Sequence, residues 1–332
     1  MQDRRRFVKT LGAGAALATV QPWAAWAQET KPLEQVRILY GFPAGSAGDS
    51  VARRVGEHLA GTAYSKNMGV VENKPGAGSR IALETLRTAP TDGSVICLAP
   101  SSTMAVYPHI YSKLSYKVED FAPLSIGAIM HHGLAVGPAV PESVKNVKDF
   151  LAWAQANPQQ ANFGSPGAGT LPHLIGALLS IRSGVKLNHV PYRGTAPSIA
   201  DLVGGQVAAT MNPSGDYLSY AKAGKIRVLA CSGPTRNLYL PDVPTFAEQG
   251  FADLTTEEWF GFYANAKTSE AVRANANAAI VKALKEKSVQ DSIGVMGLIA
   301  QGSTPEEMLR SQQAEFDRWG PLVKQIGFSA DA

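Results

Sequence analysis

The stretch Val36-Arg37-Ile38-Leu39-Tyr40-Gly41-Phe42-Pro43-Ala44-Gly45-Ser46-Ala47-Gly48-Asp49 decides the fold class. Residues 36–40 are short and apolar, with Val and Ile favouring an extended chain, and read as a strand. Residues 43–48 form a turn. Asp49 is placed to cap a helix reaching about Leu59 by accepting a backbone N–H. Strand, glycine-rich turn and helix in that order are the unit of a parallel sheet with crossover helices.

The unit recurs on both sides of the chain. Residues 69–72 read as a second strand, Pro75-Gly76-Ala77-Gly78 as its turn, 79–88 as a helix and 95–99 as a third strand. The rhythm restarts after about residue 128. Strands are expected at 134–136, 161–164, 186–190, 207–211 and 226–230, and helices at 147–156, 170–183 and 195–202. The C-terminus reads as helical over 269–287 and 304–326. Thr304-Pro305-Glu306-Glu307 supplies an N-cap, a proline at N1 and a glutamate at N3. This tail shows no strand-rich partner of its own, so the simplest arrangement returns it to the first unit. The chain then crosses twice between units, near residues 128 and 255. Lobe one would be 28–128 plus 255–332, and lobe two 129–254. Two crossings make a hinge, and a hinge between α/β lobes makes a cleft.

Composition agrees with a two-domain α/β chain of 332 residues. Only 17% of residues are charged, and the net charge is +4. Most of that excess sits at the N-terminus, where Arg4, Arg5, Arg6 and Lys9 outweigh Asp3. The remainder is close to neutral and carries no basic stripe for nucleic acid or an anionic membrane. The N-terminus itself reads as an export signal over residues 1–27. It has a basic start, an uncharged apolar run from Leu11 to Ala25 and a small-x-small site at Ala25-Trp26-Ala27. That run is shorter than the ~20 residues of a membrane span. Arg4-Arg5-Arg6-Phe7-Val8-Lys9 is similar to a twin-arginine (Tat) signal, which places the mature protein in the periplasm. Cys97 and Cys231 each lie in a strand-like run; an oxidising compartment permits a disulfide between them, but they read as separate buried thiols.

Catalytic patterns are missing. The mature chain has no Gly-x-Ser-x-Gly, no Gly-x-Gly-x-x-Gly and no Walker sequence. His131-His132-Gly133 has no serine partner for an oxyanion-hole role, and no Cys/His cluster has zinc spacing. Neither a catalytic residue, a metal nor a cofactor is expected. What remains is a pair of glycine-rich loops ahead of helices, Gly45 to Asp49 and Ser165-Pro166-Gly167-Ala168-Gly169-Thr170. Helix N-termini present unpaired N–H groups and a positive dipole end, and so bind anions. Each loop lies at the carboxyl edge of a strand, where α/β sheets take ligands. Plain tight turns would carry the same pattern.

The chain resembles the substrate-binding proteins of tripartite tricarboxylate transporters, the Bug/TctC-type family. The resemblance rests on 41–49, on Val71-Glu72-Asn73-Lys74-Pro75-Gly76-Ala77-Gly78 and on Asp120-Phe121-Ala122-Pro123-Leu124. It continues through 162–170 with His173, Val190-Pro191-Tyr192-Arg193-Gly194, 202–207, 223–227 and Leu240-Pro241-Asp242-Val243-Pro244-Thr245. It implies a periplasmic binding protein of type II-like α/β fold, two lobes on a two-strand hinge with the ligand cleft between them. It further implies a monomer that closes on a small organic carboxylate and delivers it to the membrane permease of such a transporter. Carried onto this sequence, the site is Phe42, Gly45, Ser46, Ala47, Gly48 and Asp49 from the first loop and Ser165, Gly167, Gly169, Thr170 and His173 from the second. Ser101 and Ser102, after the third strand, would add hydroxyl donors. His173 could equally serve to hold its loop.

The chain departs from the family at Ala44, Ser46, Ser79-Arg80, Met104 and Asn212, where Pro, Gly, Gly-Asn, His and Asp are usual. Asn212, at the carboxyl end of a strand, offers an amide that suits a carboxylate or hydroxyl. Arg80 would clamp a carboxylate if it faces inward, or else point to solvent. Facing the ligand together, they would favour di-, tri- or aromatic carboxylates without an ammonium group. Two other classes stay open: a periplasmic ligand-sensing subunit for a signalling system, and an α/β hydrolase.

Overall fold

The computed structural model describes residues 31–331. The export signal read over 1–27 lies outside them. In chain order the elements are β1 (Arg37–Tyr40), α1 (Ala47–Glu57), β2 (Val70–Asn73), α2 (Arg80–Arg87), β3 (Val95–Pro100), α3 (Ser102–Ala105), α4 (Tyr107–Ile110) and β4 (Phe121–Met130). Then come β5 (His132–Val136), α5 (Val147–Ala156), β6 (Asn162–Ser165), α6 (Leu171–Ser183), β7 (Asn188–Pro191), α7 (Thr195–Val203), β8 (Ala209–Pro213), α8 (Leu218–Lys222) and β9 (Arg227–Cys231). The chain ends with β10 (Glu258–Asn265), α9 (Glu270–Lys285), α10 (Lys287–Gly294), β11 (Ile299–Ala300) and α11 (Pro305–Ile326).

These elements build two α/β lobes, each around one sheet. The first sheet has the order β11-β4-β10-β3-β1-β2 and the second β7-β6-β8-β5-β9. The parallel crossover units expected from the glycine-rich turns are present: β1 pairs parallel with β2 and β3, and β6 with β7 and β8. The sheets are nevertheless mixed. β10 runs antiparallel between β3 and β4, and β5 runs antiparallel between β8 and β9. The tail is therefore not purely helical. Its strand β10 is buried along its whole length, so it lacks the inside/outside alternation that marks a strand in sequence.

β4 leads directly into β5 through His131, so this strand pair carries the chain from one sheet to the other. The return passes through 256–258, where Glu258 pairs with Met130. The outgoing and returning strands are thus neighbours in one sheet. α11 starts as its sequence implies: Thr304 accepts the Glu307 N–H at 3.1 Å and Glu307 accepts the Thr304 N–H at 2.9 Å. It packs on more than the first unit. Met308 joins the core around β3 and Tyr263, whereas Trp319 and Val323 join the core built with α6. Cys97 and Cys231 are buried and unpaired in different sheets.

Candidate ligand-binding cleft

Strand direction places the loops. The carboxyl ends of β1, β2 and β3 lie on one edge of the first sheet, and those of β6, β7 and β8 on one edge of the second. His132, opening β5, pairs with Pro213 at the end of β8 and so belongs to that second edge. Glu258, opening β10, lies just past the end of β3, whose successor Ser101 donates its N–H to Trp259 O at 2.7 Å. His132 Nε2 and Glu258 Oε2 are 3.0 Å apart, and Ser102 Oγ donates to Glu258 Oε1 at 2.5 Å. Both side chains are buried. This cross-link ties the two carboxyl edges together where the chain crosses. Beside it, His131 Nε2 meets Glu257 Oε1 at 2.9 Å.

The first loop is held from within. Gly45 has a φ of +83°, a left-handed conformation that glycine adopts without strain. Its N–H donates to Asp49 Oδ2 at 2.8 Å. Asp49 also accepts from Arg53 Nε at 2.9 Å and from Asn73 Nδ2 at 2.8 Å. Burial alone would raise this carboxyl, but the Arg53 guanidinium and the Gly45 and Asn73 donors outweigh it and hold it below the usual carboxylate range. Asp49 therefore braces the loop, and the N-cap position belongs to Ser46. The Ser46 hydroxyl donates to Pro43 O at 2.7 Å, so this expected site residue spends its side chain within the loop. Phe42, half-buried, packs its ring 5.5 Å from that of Tyr40. Gly48 is required by close approach, since a Cβ there would sit 2.3 Å from the Tyr40 hydroxyl. The N–H groups of Ala47 and Asp49 are orphan donors of a helix N-terminus, whereas that of Gly48 faces the Tyr40 hydroxyl.

The second loop repeats the device. Gly169, with φ +78°, donates its N–H to His173 Nδ1 at 3.1 Å. Thr170 Oγ1 donates to Gly167 O at 2.7 Å, and Ser165 Oγ bonds His189 Nε2 at 2.8 Å. The His173 and His189 rings stack with centroids 3.9 Å apart. Burial pushes His173 down to about 4, and burial together with the His173 ring pushes His189 down to about 3. Both imidazoles are neutral at ordinary pH. Of the two roles open to His173, the geometry supplies the one of holding its loop.

Other expected contacts do not form as read. Ser101 Oγ donates to Glu315 Oε2 at 3.0 Å and Ser102 is spent on Glu258, so neither hydroxyl is a spare donor. Asn212 is fully buried and exchanges hydrogen bonds with Ser198 Oγ at 3.0 and 3.2 Å instead of reaching out. Arg80 lies half-buried with Nε on Ala77 O at 3.0 Å and its guanidinium 4.1 Å above the Tyr111 ring. The structure instead brings forward residues that the sequence reading passed over. Ser79 precedes α2 with φ +76° and a buried hydroxyl lacking a partner. Asp216 follows β8 and takes Thr195 as its hydrogen-bond partner. The adjacent pairs His131-His132 and Glu257-Glu258 were the available signal for the cross-link, two titratable doublets beside apolar strands.

The chain matches the tripartite tricarboxylate transporter family receptor over residues 51–328. It is 32% identical to the UPF0065 protein in the tcbD-tcbE intergenic region of Pseudomonas sp. strain P51, over 96% of this chain and 94% of that one. Among solved structures it resembles the periplasmic binding protein BugD, with 26% identity and a TM-score of 0.79 over 90% of this chain and 99% of that one. It also resembles R. palustris Rpa4515 with adipate, with 27% identity and a TM-score of 0.80 over 90% and 99%. MatC from Rhodopseudomonas palustris with bound malate follows at 25% identity and a TM-score of 0.77, over 88% and 99%. With the family covering most of its length, and its elements forming two α/β lobes, this chain belongs to the receptors of the tripartite tricarboxylate transporter family.

Proposed function

We propose that this protein is a periplasmic solute receptor that closes two lobes on a small organic carboxylate and presents it to a tripartite tricarboxylate-type permease. The observation that carries this reading is the matched pair of loops, 43–49 and 165–173. Each has a left-handed glycine whose N–H is held by a side chain four residues on, and each opens onto a helix. Such loops offer backbone donors to an anion without a permanent cation in the site. Two similar structures, one with adipate and one with bound malate, supply the ligand class. The site we assign comprises the first-turn N–H groups of α1, the 165–170 loop and the edge residues around His132, with Asp49 and His173 as braces. The lobes are 28–128 with 255–332, and 129–254, moving about 130–132 and 256–258. The protein acts as a monomer without catalysis, and residues 1–27 export it by the Tat route.

Thermal shift over a carboxylate panel tests the function. A ligand at 100 times its Kd adds about 2.7 kcal/mol of stability, a rise of several degrees. Small-angle scattering should then show a smaller radius of gyration with ligand, and an unchanged radius would count against closure. For export, Lys in place of both Arg4 and Arg5 should strand the protein in the cytoplasm.

A further inference from the structure

The turn after β8 carries an acid that no described cation neutralises. Residues 214–217 leave the carboxyl end of β8, and none of the ion pairs among the described residues includes Asp216. Among the described residues its carboxyl interacts with the Thr195 side chain, at the start of α7 beyond β7, and with His132 at the start of β5. The sheet order β7-β6-β8-β5 puts Thr195 on one side of β8 and His132 on the other. A side chain that reaches both lies across the carboxyl edge of the sheet, facing the cleft. The turn also meets the other lobe: a Cβ on Gly215 would lie 2.0 Å from Met296 O. Asp216 is therefore fixed where the lobes approach each other, and it is partly exposed. Burial raises its carboxyl, with the Thr195 bond and His132 acting in the opposite sense. His132 is wholly buried, one nitrogen on Glu258 and Nδ1 without a partner. A buried ring already bonded to Glu258 is not available to a ligand's second carboxylate. Asn212 and Arg80, the two groups that could have favoured an all-anionic ligand, are engaged elsewhere.

We propose that Asp216, held by Thr195, selects carboxylates that carry a hydrogen-bond donor next to the carboxylate, a hydroxyl or an ammonium, over the unsubstituted acid. This rests on the reading of the cleft as a carboxylate site. An ionised acceptor makes roughly twice as strong a bond to such a donor as a neutral one, and it repels a bare carboxylate.

Matched acids that differ at one position provide the test. Calorimetry on the purified protein would compare succinate, malate and aspartate, then glutarate, 2-hydroxyglutarate and glutamate, then propionate, lactate and alanine. In the series that binds, the hydroxy or amino acid should bind at least tenfold more tightly than its parent, and which of the two wins identifies the donor. In Asp216→Ser and Asp216→Asn the preference should shrink to about threefold or less, with the parent acid bound no more weakly than before. Parent-first binding in the wild type, or a preference that survives both substitutions, overturns the role of Asp216 and leaves the carboxylate receptor standing. Failure of every acid to bind overturns both.

Discussion

Gly169 donates its backbone N–H to Nδ1 of His173 at 3.1 Å, which fixes the ring proton on Nε2. Protonating His173 would put a second donor against that N–H and a charge against the stacked His189. The folded protein therefore keeps both rings neutral down to about 4 and about 3, whereas unfolded histidine titrates near ~6.5. Between those values the unfolded chain binds more protons, so stability falls as pH drops below about 6.5. We expect a loss of about 1–2 kcal/mol by pH 4.5, read as a falling Tm. His173→Asn keeps an acceptor for Gly169 and should flatten the slope. An equally steep slope in that variant would place the titrating group elsewhere.

The two loop glycines should differ in cost. A Cβ on Gly45 meets nothing within 4 Å, so Gly45→Ala carries only the left-handed backbone penalty, about 1 kcal/mol. A Cβ on Gly169 comes 3.0 Å from Ile110 and 3.2 Å from Phe328 as well. Ile110 belongs to the segment after β3, so the added methyl also pushes between the lobes. Gly169→Ala should cost about 2–3 kcal/mol in urea unfolding. Equal costs would mean that the contact relaxes freely.

Ser79 is a place where a local rule is broken. It and Ala77 are the non-glycine residues with positive φ among those described, and the Ser79 hydroxyl is buried without a partner. A Cβ on Gly41 would fall 2.1 Å from that hydroxyl, so the turn is pressed onto the end of β1. Ser79→Gly removes the backbone strain and the orphan hydroxyl together, offset by greater freedom of the unfolded chain. The expected result is a gain of about 0.5–1 kcal/mol in urea unfolding. A loss would show that the hydroxyl has a partner in solution.

The sequence made the scaffold legible and its side-chain uses only partly so. Strand, glycine turn and helix at 36–59 announce themselves because the period and the turn chemistry are local. β10 escaped because burial on both faces removes its alternation. Asn212 was rightly placed at a strand end, but its amide is spent on Ser198, on the helix before it. The Ser102 hydroxyl goes to Glu258, 156 residues away, and spacing holds no trace of such a partner. Pattern tells which edge a residue reaches. The neighbour waiting there depends on how the two lobes cross.

Glu315 gives the fold a second pH response, opposite in sign to that of His173. It is held in the interior by Trp259 Nε1 at 2.9 Å and Ser101 Oγ at 3.0 Å. Burial, with Glu258 adding to it, pushes its carboxyl up to about 8, against ~4.3 for a free glutamate. The folded protein then keeps a proton that the unfolded chain has released. This stabilisation is complete below about 4.3 and is lost as pH rises towards 8. Glutamine mimics the protonated acid, its carbonyl accepting from Trp259 and its NH₂ donating to the Ser101 oxygen, whose hydroxyl turns from donor to acceptor. Glu315→Gln should match the wild type near pH 5 and exceed it by about 1–3 kcal/mol at pH 8.5, in denaturant unfolding. Trp259 fluorescence should shift with pH in the wild type and stay constant in the variant. A glutamine protein less stable than the wild type at pH 8.5 would mean that Glu315 is ionised in the fold and that its charge supports the β10–α11 contact.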